Sequence, residues 1–320
     1  MTARQKPPRL RPGMTLGVVA PSSPVLERST VNRGVARLEE LGFNVTFAEH
    51  ARDSRGYLAG QDVDRADDLL TMLERDDIDG VICLRGGYGA SRTLNALNTP
   101  AGRERLRALA GRPAKPFIGF SDITMVHALL ARELGWVSFY GPVVTSFARP
   151  SDYTLAAFRR ALLETEPFDI LPDPDDPYVE TLVPGVAEAD LAGGCLQLVV
   201  SLLGTPWEID LRGKVFFFED VHEEPYAIDR MLSQLIATGQ LQQCAGIFIG
   251  EHADCSPKGP GNSLGLEQVF DDLIRPLGIP TIYHLPIGHG KQIATLPLGV
   301  RARLDATAKT LRVLEPGVTG

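Results

Sequence analysis

The chain has 320 residues, 44% of them hydrophobic and 22% charged, with a formal net charge of −8. This is the composition of an ordinary globular protein, and the length exceeds what one core usually serves, so two domains are expected. The acidic balance argues against nucleic acid or an anionic membrane as the main partner.

No apolar run approaches the roughly 18 residues that span a bilayer. The basic start MTARQKPPRLRPG lacks the apolar core of a secretory signal, so a cytoplasmic location is expected. Cys83, Cys195, Cys244 and Cys255 are scattered, with no C-x-x-C pair and no clustered histidines. That argues against zinc and against a disulfide framework.

Thr15–Ala20 reads as a strand, followed by the loop Pro-Ser-Ser-Pro at 21–24. A helix is expected over Arg28–Leu41, ending at Gly42, then a strand over Asn44–Ala48 and a helix over Gln61–Arg75. Gly80–Leu84 is a strand running into Arg85-Gly-Gly-Tyr-Gly89, and a helix follows over Ala90–Leu97. Pro116–Phe120 is a short buried strand, Ile123–Leu134 an amphipathic helix, Trp136–Tyr140 a strand and Asp152–Leu163 a helix. Strand and helix alternate with short connections, which means a mostly parallel sheet covered on both faces. Ligands of such sheets bind beyond the C-terminal strand ends, where Arg85–Gly89 and Ser121 lie.

Glu164–Pro184 holds five prolines and seven acidic residues among 21. It reads as a linker between a domain over 1–163 and another over 185–320, or as a flap over the site. In the second half, Val186–Leu191 is a strand, Gly193-Gly194 a tight turn and Cys195–Leu203 an apolar helix. Lys214–Phe218 is a buried strand delivering Glu219-Asp220. Tyr226–Gly239 and Leu264–Ile274 are helices. Cys244–Ile249 and Thr281–Leu285 are strands, the latter leading into Pro286-Ile-Gly-His-Gly290. Gly299–Asp305 and Thr310–Leu314 form a terminal hairpin. The second half is mixed α/β with much antiparallel character.

Ser121 sits on a strand-to-helix turn. It is either a nucleophile beside helix N–H groups that stabilise an oxyanion, or a helix cap, as is Asp122. Glu219 ends an apolar strand and must be paired. It either meets Arg230 or Lys214, or orients a histidine. His289, between two glycines, is the leading general base, with His222 a competitor and His252, His127, His284 and His50 weaker. A serine hydroxyl needs such a base, and the base needs a carboxylate to fix its tautomer. The glycine loop at 85–89 is a tight turn, a phosphate cradle lacking the usual spacing, or a source of an oxyanion-binding N–H at Gly87 together with that of Asp122.

Seven segments resemble the LD-carboxypeptidase family of serine peptidases, whose members include murein tetrapeptide carboxypeptidases and microcin-immunity peptidases. They are APSSP at 20–24, YLAGQDVDRADDL at 57–69, RGGYGA at 85–90, IGFSDIT at 118–124, GGCLQLVVSLLGTP at 193–206, FFEDVHEEPYAIDRML at 217–232 and PIGHGKQIATLPLG at 286–299. The resemblance implies a flavodoxin- or Rossmann-like parallel-sheet N-terminal domain, a smaller mixed α/β C-terminal domain, a homodimer and no cofactor or metal. It implies Ser121 as nucleophile, Glu219 as acid, His289 as base and the Gly87 and Asp122 amides as oxyanion hole. Arg85 is a candidate for the free carboxylate of the leaving residue.

The implied reaction is removal of a C-terminal D-amino acid from an L-centre, above all D-alanine from murein tetrapeptide. The context Gly-Phe-Ser-Asp-Ile is not the G-x-S-x-G elbow, so an α/β-hydrolase fold is not expected. Cleavage of aminoacyl-nucleotides is the alternative. It is disfavoured because neither Trp136 nor Trp207 falls within 149–184, where a stacking flap would form, although Phe168 and Tyr178 do. Two other classes stay open: an enzyme using Cys195 as nucleophile, and a non-catalytic two-domain binder of peptides or sugars.

Overall fold

The computed structural model describes residues 4–259 and 261–320. The chain divides into two compact units. The first comprises the residues up to Thr165 with Thr295–Pro297 and Gly317–Gly320, and the second comprises Glu166–Ala294 with Leu298–Pro316.

The first unit contains β1 (Thr15–Val19), α1 (Arg28–Glu40), β2 (Asn44–Phe47), α2 (Asp62–Glu74), β3 (Gly80–Cys83), α3 (Ala90–Leu97), α4 (Pro100–Ala110), β4 (Phe117–Gly119), α5 (Thr124–Leu129), β5 (Ser138–Tyr140) and α6 (Asp152–Leu162). The strands β2-β1-β3-β4-β5 are parallel in that order. β3, β4 and β5 are buried throughout, as apolar strands covered on both faces must be. The order is that of the flavodoxin-like doubly wound sheet, whose switch point lies between β1 and β3.

Three features depart from the expected elements. The helix after Ser121 is composite: a 3₁₀ turn at Ser121–Ile123, then α5, then a π-helical turn at Leu130–Leu134 closed by Gly135 in the left-handed region. α4 is not among the expected helices, although Thr99 caps it from the Gly102 N–H and Pro100 opens it. The sixth strand of the sheet, Leu296–Leu298, joins beside β5 from far along the chain.

The second unit contains β6 (Phe168–Ile170), β7 (Glu180–Val183), β8 (Val186–Cys195), α7 (Leu196–Ser201), β9 (Val215–Val221), α8 (Pro225–Ala237), β10 (Gly246–Ala253), α9 (Leu266–Leu273) and β11 (Thr281–Tyr283). It ends with β13 (Arg301–Asp305) and β14 (Thr310–Val313), β12 being Leu296–Leu298 of the first sheet. Four parallel strands, β8-β9-β10-β11, form its centre. β13, β14 and β6 extend it antiparallel on one side and β7 on the other. The antiparallel character is therefore confined to the flanks. Phe217 on β9 stacks on Phe248 of β10 with centroids 5.3 Å apart. Phe216 and Phe218 enter a core with Ile228, Leu232, Ile247 and Phe270.

The segment 164–184 is not a plain linker, since it supplies β6 and β7. Phe168, Ile170 and Leu182 are buried there. Its prolines stand outside the paired residues, as a strand at a sheet edge permits. Gly193-Gly194 is likewise no turn but the end of β8, paired with Phe217-Phe218. Gly193 has φ 146°, and a Cβ there would overlap the Phe217 carbonyl oxygen. Gly193→Ala is therefore expected to lower the unfolding free energy by about 3 kcal/mol, measured by urea titration, because neither backbone can yield inside a parallel ladder.

Candidate active site

In the first unit, β4 ends at Gly119 and the chain turns sharply at Ser121. Ser121 has φ 66°, a left-handed conformation that costs a non-glycine residue about 1–3 kcal/mol. The turn is held from both sides. The Ser121 N–H donates to the Tyr140 hydroxyl at the end of β5 (3.1 Å), and the Thr124 hydroxyl donates to the Ser121 carbonyl (2.7 Å). A Cβ at Gly86 would stand 2.9 Å from Ser121 Cβ and 3.2 Å from its Oγ, so glycine is needed where the loop after β3 passes the serine. Ser121 opens the 3₁₀ turn itself and does not stand at its N-cap position.

Asp122 does not cap its own helix. Its buried carboxylate accepts from the Ser22 hydroxyl (2.6 Å) and from the Ala90 N–H (2.8 Å), so it caps α3 and ties together the loops after β1, β3 and β4. Burial raises its carboxyl above the usual range, against the hydrogen bonds from Ser22 and Ala90. Ser23 Oγ accepts the Tyr88 N–H (3.0 Å), which fixes the glycine loop in which Gly87 has φ 108°. The exposed Arg85 donates through Nη1 to the Pro24 carbonyl (3.3 Å).

One residue that sequence reasoning missed holds this assembly from below. Arg65, 2% exposed, donates to the Gly60 carbonyl (2.8 Å), Thr93 Oγ1 (3.1 Å) and Asp62 Oδ1 (2.7 Å). The signal was an arginine at a position of α2 that the helical pattern turns inward. His127 is a core residue, placed between Ser138 Oγ (2.8 Å) and the Gly119 carbonyl (2.9 Å), and burial pulls it down to about 4.

In the second unit, β9 carries Glu219 to a point where its side chain is fully buried, and His289 Nδ1 lies 2.7 Å from Glu219 Oε2. The alternative partners are otherwise engaged: Lys214 pairs with Asp190 (2.7 Å), and Arg230 lies over the Tyr226 ring. Gly288 has φ 111°, and a Cβ there would overlap the Glu219 carboxylate. With Nδ1–H donated to the carboxylate, His289 Nε2 carries the lone pair. Burial works to lower the His289 pKa, but the hydrogen bond and charge of Glu219, aided by Asp220, outweigh it and raise the pKa.

Asp220 accepts from the Gln197 and Val221 N–H groups (2.9 Å each) and from Cys195 Sγ (3.5 Å). Burial and the charge of Glu219 push it up to about 6. Cys195 is 2% exposed, and burial with the charges of Asp220 and Glu219 drives its thiol well above the ordinary range. A buried thiol that donates to a carboxylate is poorly placed to act as a nucleophile.

The other histidines are accounted for. His222 is exposed beside Asp254 (3.4 Å). His252 packs among Phe218, Phe270 and Tyr283, held near 4 by burial. His284 stacks on Tyr283, and His50 meets Asp68. The structure thus brings Ser121, Gly86, Gly87 and Asp122 together in one unit and Glu219 with His289 in the other. Among the described residues, no group of three or more His, Cys, Asp or Glu is disposed to hold a metal.

Two family models match the chain: the LD-carboxypeptidase N-terminal domain over residues 16–141 and the LD-carboxypeptidase C-terminal domain over residues 188–304. A "probable murein peptide carboxypeptidase" of Bacillus subtilis is 38% identical, covering 98% of this chain and 95% of its own. The murein tetrapeptide carboxypeptidase of Pseudomonas aeruginosa is 30% identical over 91% and 92%, and the microcin C7 self-immunity protein of Escherichia coli 24% identical over 95% and 94%. The crystal structure of muramoyltetrapeptide carboxypeptidase from Oxalobacter formigenes superposes with a TM-score of 0.79 at 29% identity, over 96% of this chain and all of that one. A match over both halves and nearly the full length means that the chain belongs to the LD-carboxypeptidase family.

Proposed function

We propose that this protein is a serine carboxypeptidase that removes a C-terminal D-amino acid from an L-centre, with the murein tetrapeptide as substrate and D-alanine as leaving residue. The observation that carries the reading is the 2.7 Å bond from His289 Nδ1 to the buried Glu219 carboxylate, which fixes a general base in one tautomer. The strained backbone at Ser121 and the glycine packed against it are what an exposed nucleophile on a tight turn requires.

In the proposed reaction His289 Nε2 takes the Ser121 proton and Ser121 Oγ attacks the scissile carbonyl. The Gly87 and Asp122 N–H groups stabilise the oxyanion. His289 then protonates the leaving amine, and water, activated by the same imidazole, releases the acyl group. Arg85 spends one of its five N–H groups on Pro24, and its remaining donors suit the carboxylate of the leaving residue. A cytoplasmic homodimer working in cell-wall recycling fits this reading.

Murein peptide is favoured over aminoacyl-nucleotide on two grounds. The relatives named for murein peptides are 38% and 30% identical, against 24% for the self-immunity protein. Trp136 and Trp207 are 1% and 4% exposed, which leaves neither indole for stacking on a base.

Mass spectrometry of purified murein tetrapeptide should show loss of one D-alanine with the wild type and none with Ser121→Ala, a fall of about 10⁴-fold or more in kcat/KM. Intact tetrapeptide and intact aminoacyl-nucleotide after incubation with folded wild type would sink the reading. The base must be neutral to act, so kcat/KM should rise with pH along a limb centred above the ordinary imidazole value of about 6.5. Glu219→Gln removes the charge that favours the imidazolium, so the limb should move to lower pH while the plateau rate falls.

A further inference from the structure

Asp220 is a buried carboxylate that the reaction above leaves unused. It is 2% exposed and follows Glu219 directly on β9. Successive side chains of a strand point to opposite faces, so the two carboxylates leave β9 on opposite sides. Asp220 therefore reaches the Glu219 side chain through the backbone they share.

The ladder holds that backbone poorly. The pairing of β8 with β9 ends at Cys195 opposite Glu219. On the other side β10 slips in register. Ile249 stands opposite Phe218 and His252 opposite Asp220, so Gly250 and Glu251 both fall beside Glu219. The Glu251 N–H leaves the ladder for the Ile287 carbonyl (2.9 Å). A bulge bends the strand and disrupts the ladder locally. Glu219 thus sits on the last rung on one side and in an irregular one on the other.

Asp220 supplies the missing restraint. Its Oδ2 accepts the Gln197 N–H of α7 (2.9 Å), and its Oδ1 accepts the Val221 N–H (2.9 Å) and the Cys195 thiol (3.5 Å). Three donors converge there, and only a group that accepts at both ends can take all of them. An asparagine would turn an NH2 group toward at least one donor. All three donors are neutral, so they offset the burial of a charge only in part. An apolar side chain of similar size would fill the space without that cost.

The titratable groups around Asp220 are Glu219 on its own strand, Cys195 on β8, His252 opposite it on β10 and Cys255 beyond β10. Glu251 faces Glu219 from the bulge, and Glu223, before α8, accepts from Gln197 Nε2 (3.1 Å). Burial keeps both thiols protonated and His252 neutral at pH 7. The charges that bear on His289 are those of Glu219 and Asp220.

We propose that Asp220 is a positioning residue: by gripping α7 and the end of β8 it fixes the end of β9, and so aims the Glu219 carboxylate at His289 Nδ1. This rests on the reading of Glu219 and His289 as orienting acid and base, and adds the group that holds the acid in place.

The test follows the His289 Nδ1–H proton by NMR, and kcat and KM for the murein tetrapeptide against pH. Wild type should show a downfield imidazole proton that moves upfield in Glu219→Gln. In Asp220→Asn the signal should also move upfield or broaden, and kcat should fall about tenfold or more with KM within about threefold. The acid limb of kcat/KM should move to lower pH, because a charge that favours the imidazolium is gone and the Glu219 bond is loosened. If that variant does not fold, Cys195→Ala removes one donor and should shift the proton signal and lower kcat by about threefold. Cys195→Ser restores a donor and should recover both. An unchanged proton signal and limb in the folded variants, whatever their kcat, overturn the positioning role. Absence of the downfield proton in wild type overturns the acid–base reading and the proposal with it. Wild type that shows the proton but leaves the tetrapeptide intact sinks the peptidase reading alone, and the signal in the variants then decides the role of Asp220.

Discussion

The second unit is organised around one costly act, the burial of the Glu219 carboxylate. A buried charge left unpaired costs about 3–5 kcal/mol, comparable to much of a domain's net stability. The 2.7 Å bond to His289 offsets that cost, and several sequence choices follow from it. Position 288 is glycine because the carboxylate occupies the space a Cβ would need. Gly250 is close-packed as well, with a Cβ there falling 2.6 Å from the Ile287 carbonyl oxygen and 3.2 Å from Glu219 Cβ. Asp220, one residue on, faces the N-terminus of α7 and accepts two backbone N–H groups, which keeps a second carboxylate tolerable beside the first.

The first unit solves a different problem, which is to hold three loops still at the switch point of a parallel sheet. Asp122 does this with one carboxylate, joining Ser22 and the first amide of α3. Arg65 does it with one guanidinium, reaching the Gly60 and Pro21 carbonyls in the loops and Thr93 on α3. Both are charged groups with almost no exposure, and both are satisfied by several partners, the condition under which burying charge is tolerable. The strain at Ser121 is stored in a frame stiff enough to keep it.

The first sheet was legible because its strands are short apolar runs with glycine or helix-start signals after them. The turn carrying Ser121 followed from that pattern alone. β6 and β7 were hidden because edge strands of three or four residues among prolines and acidic residues look like linker. Leu296–Leu298 was hidden because nothing local says that a strand will join a distant sheet. Gly193-Gly194 looked like a turn, whereas the glycines are there because a neighbouring carbonyl crowds β8. Asp122 had to be either a cap for its own helix or something else, and only the fold could supply a partner 32 residues away. The pairing of Glu219 with His289 spans 70 residues. Residue type and glycine context suggested it, but no spacing rule measures it.

The return of Leu296–Leu298 to the first sheet bears on how the protein is made. A nascent chain that has left the ribosome only to Thr165 holds five of the six strands, with the outer edge of β5 still uncovered. An uncovered edge is a template for other chains. The ends of the chain meet in the same unit, through Arg9 N–H to the Thr319 carbonyl (2.9 Å) and Thr319 N–H to the Pro7 carbonyl (2.8 Å). The unit whose first five strands are made earliest is thus completed only after the second unit, once Thr295–Pro297 and Gly317–Gly320 have been made.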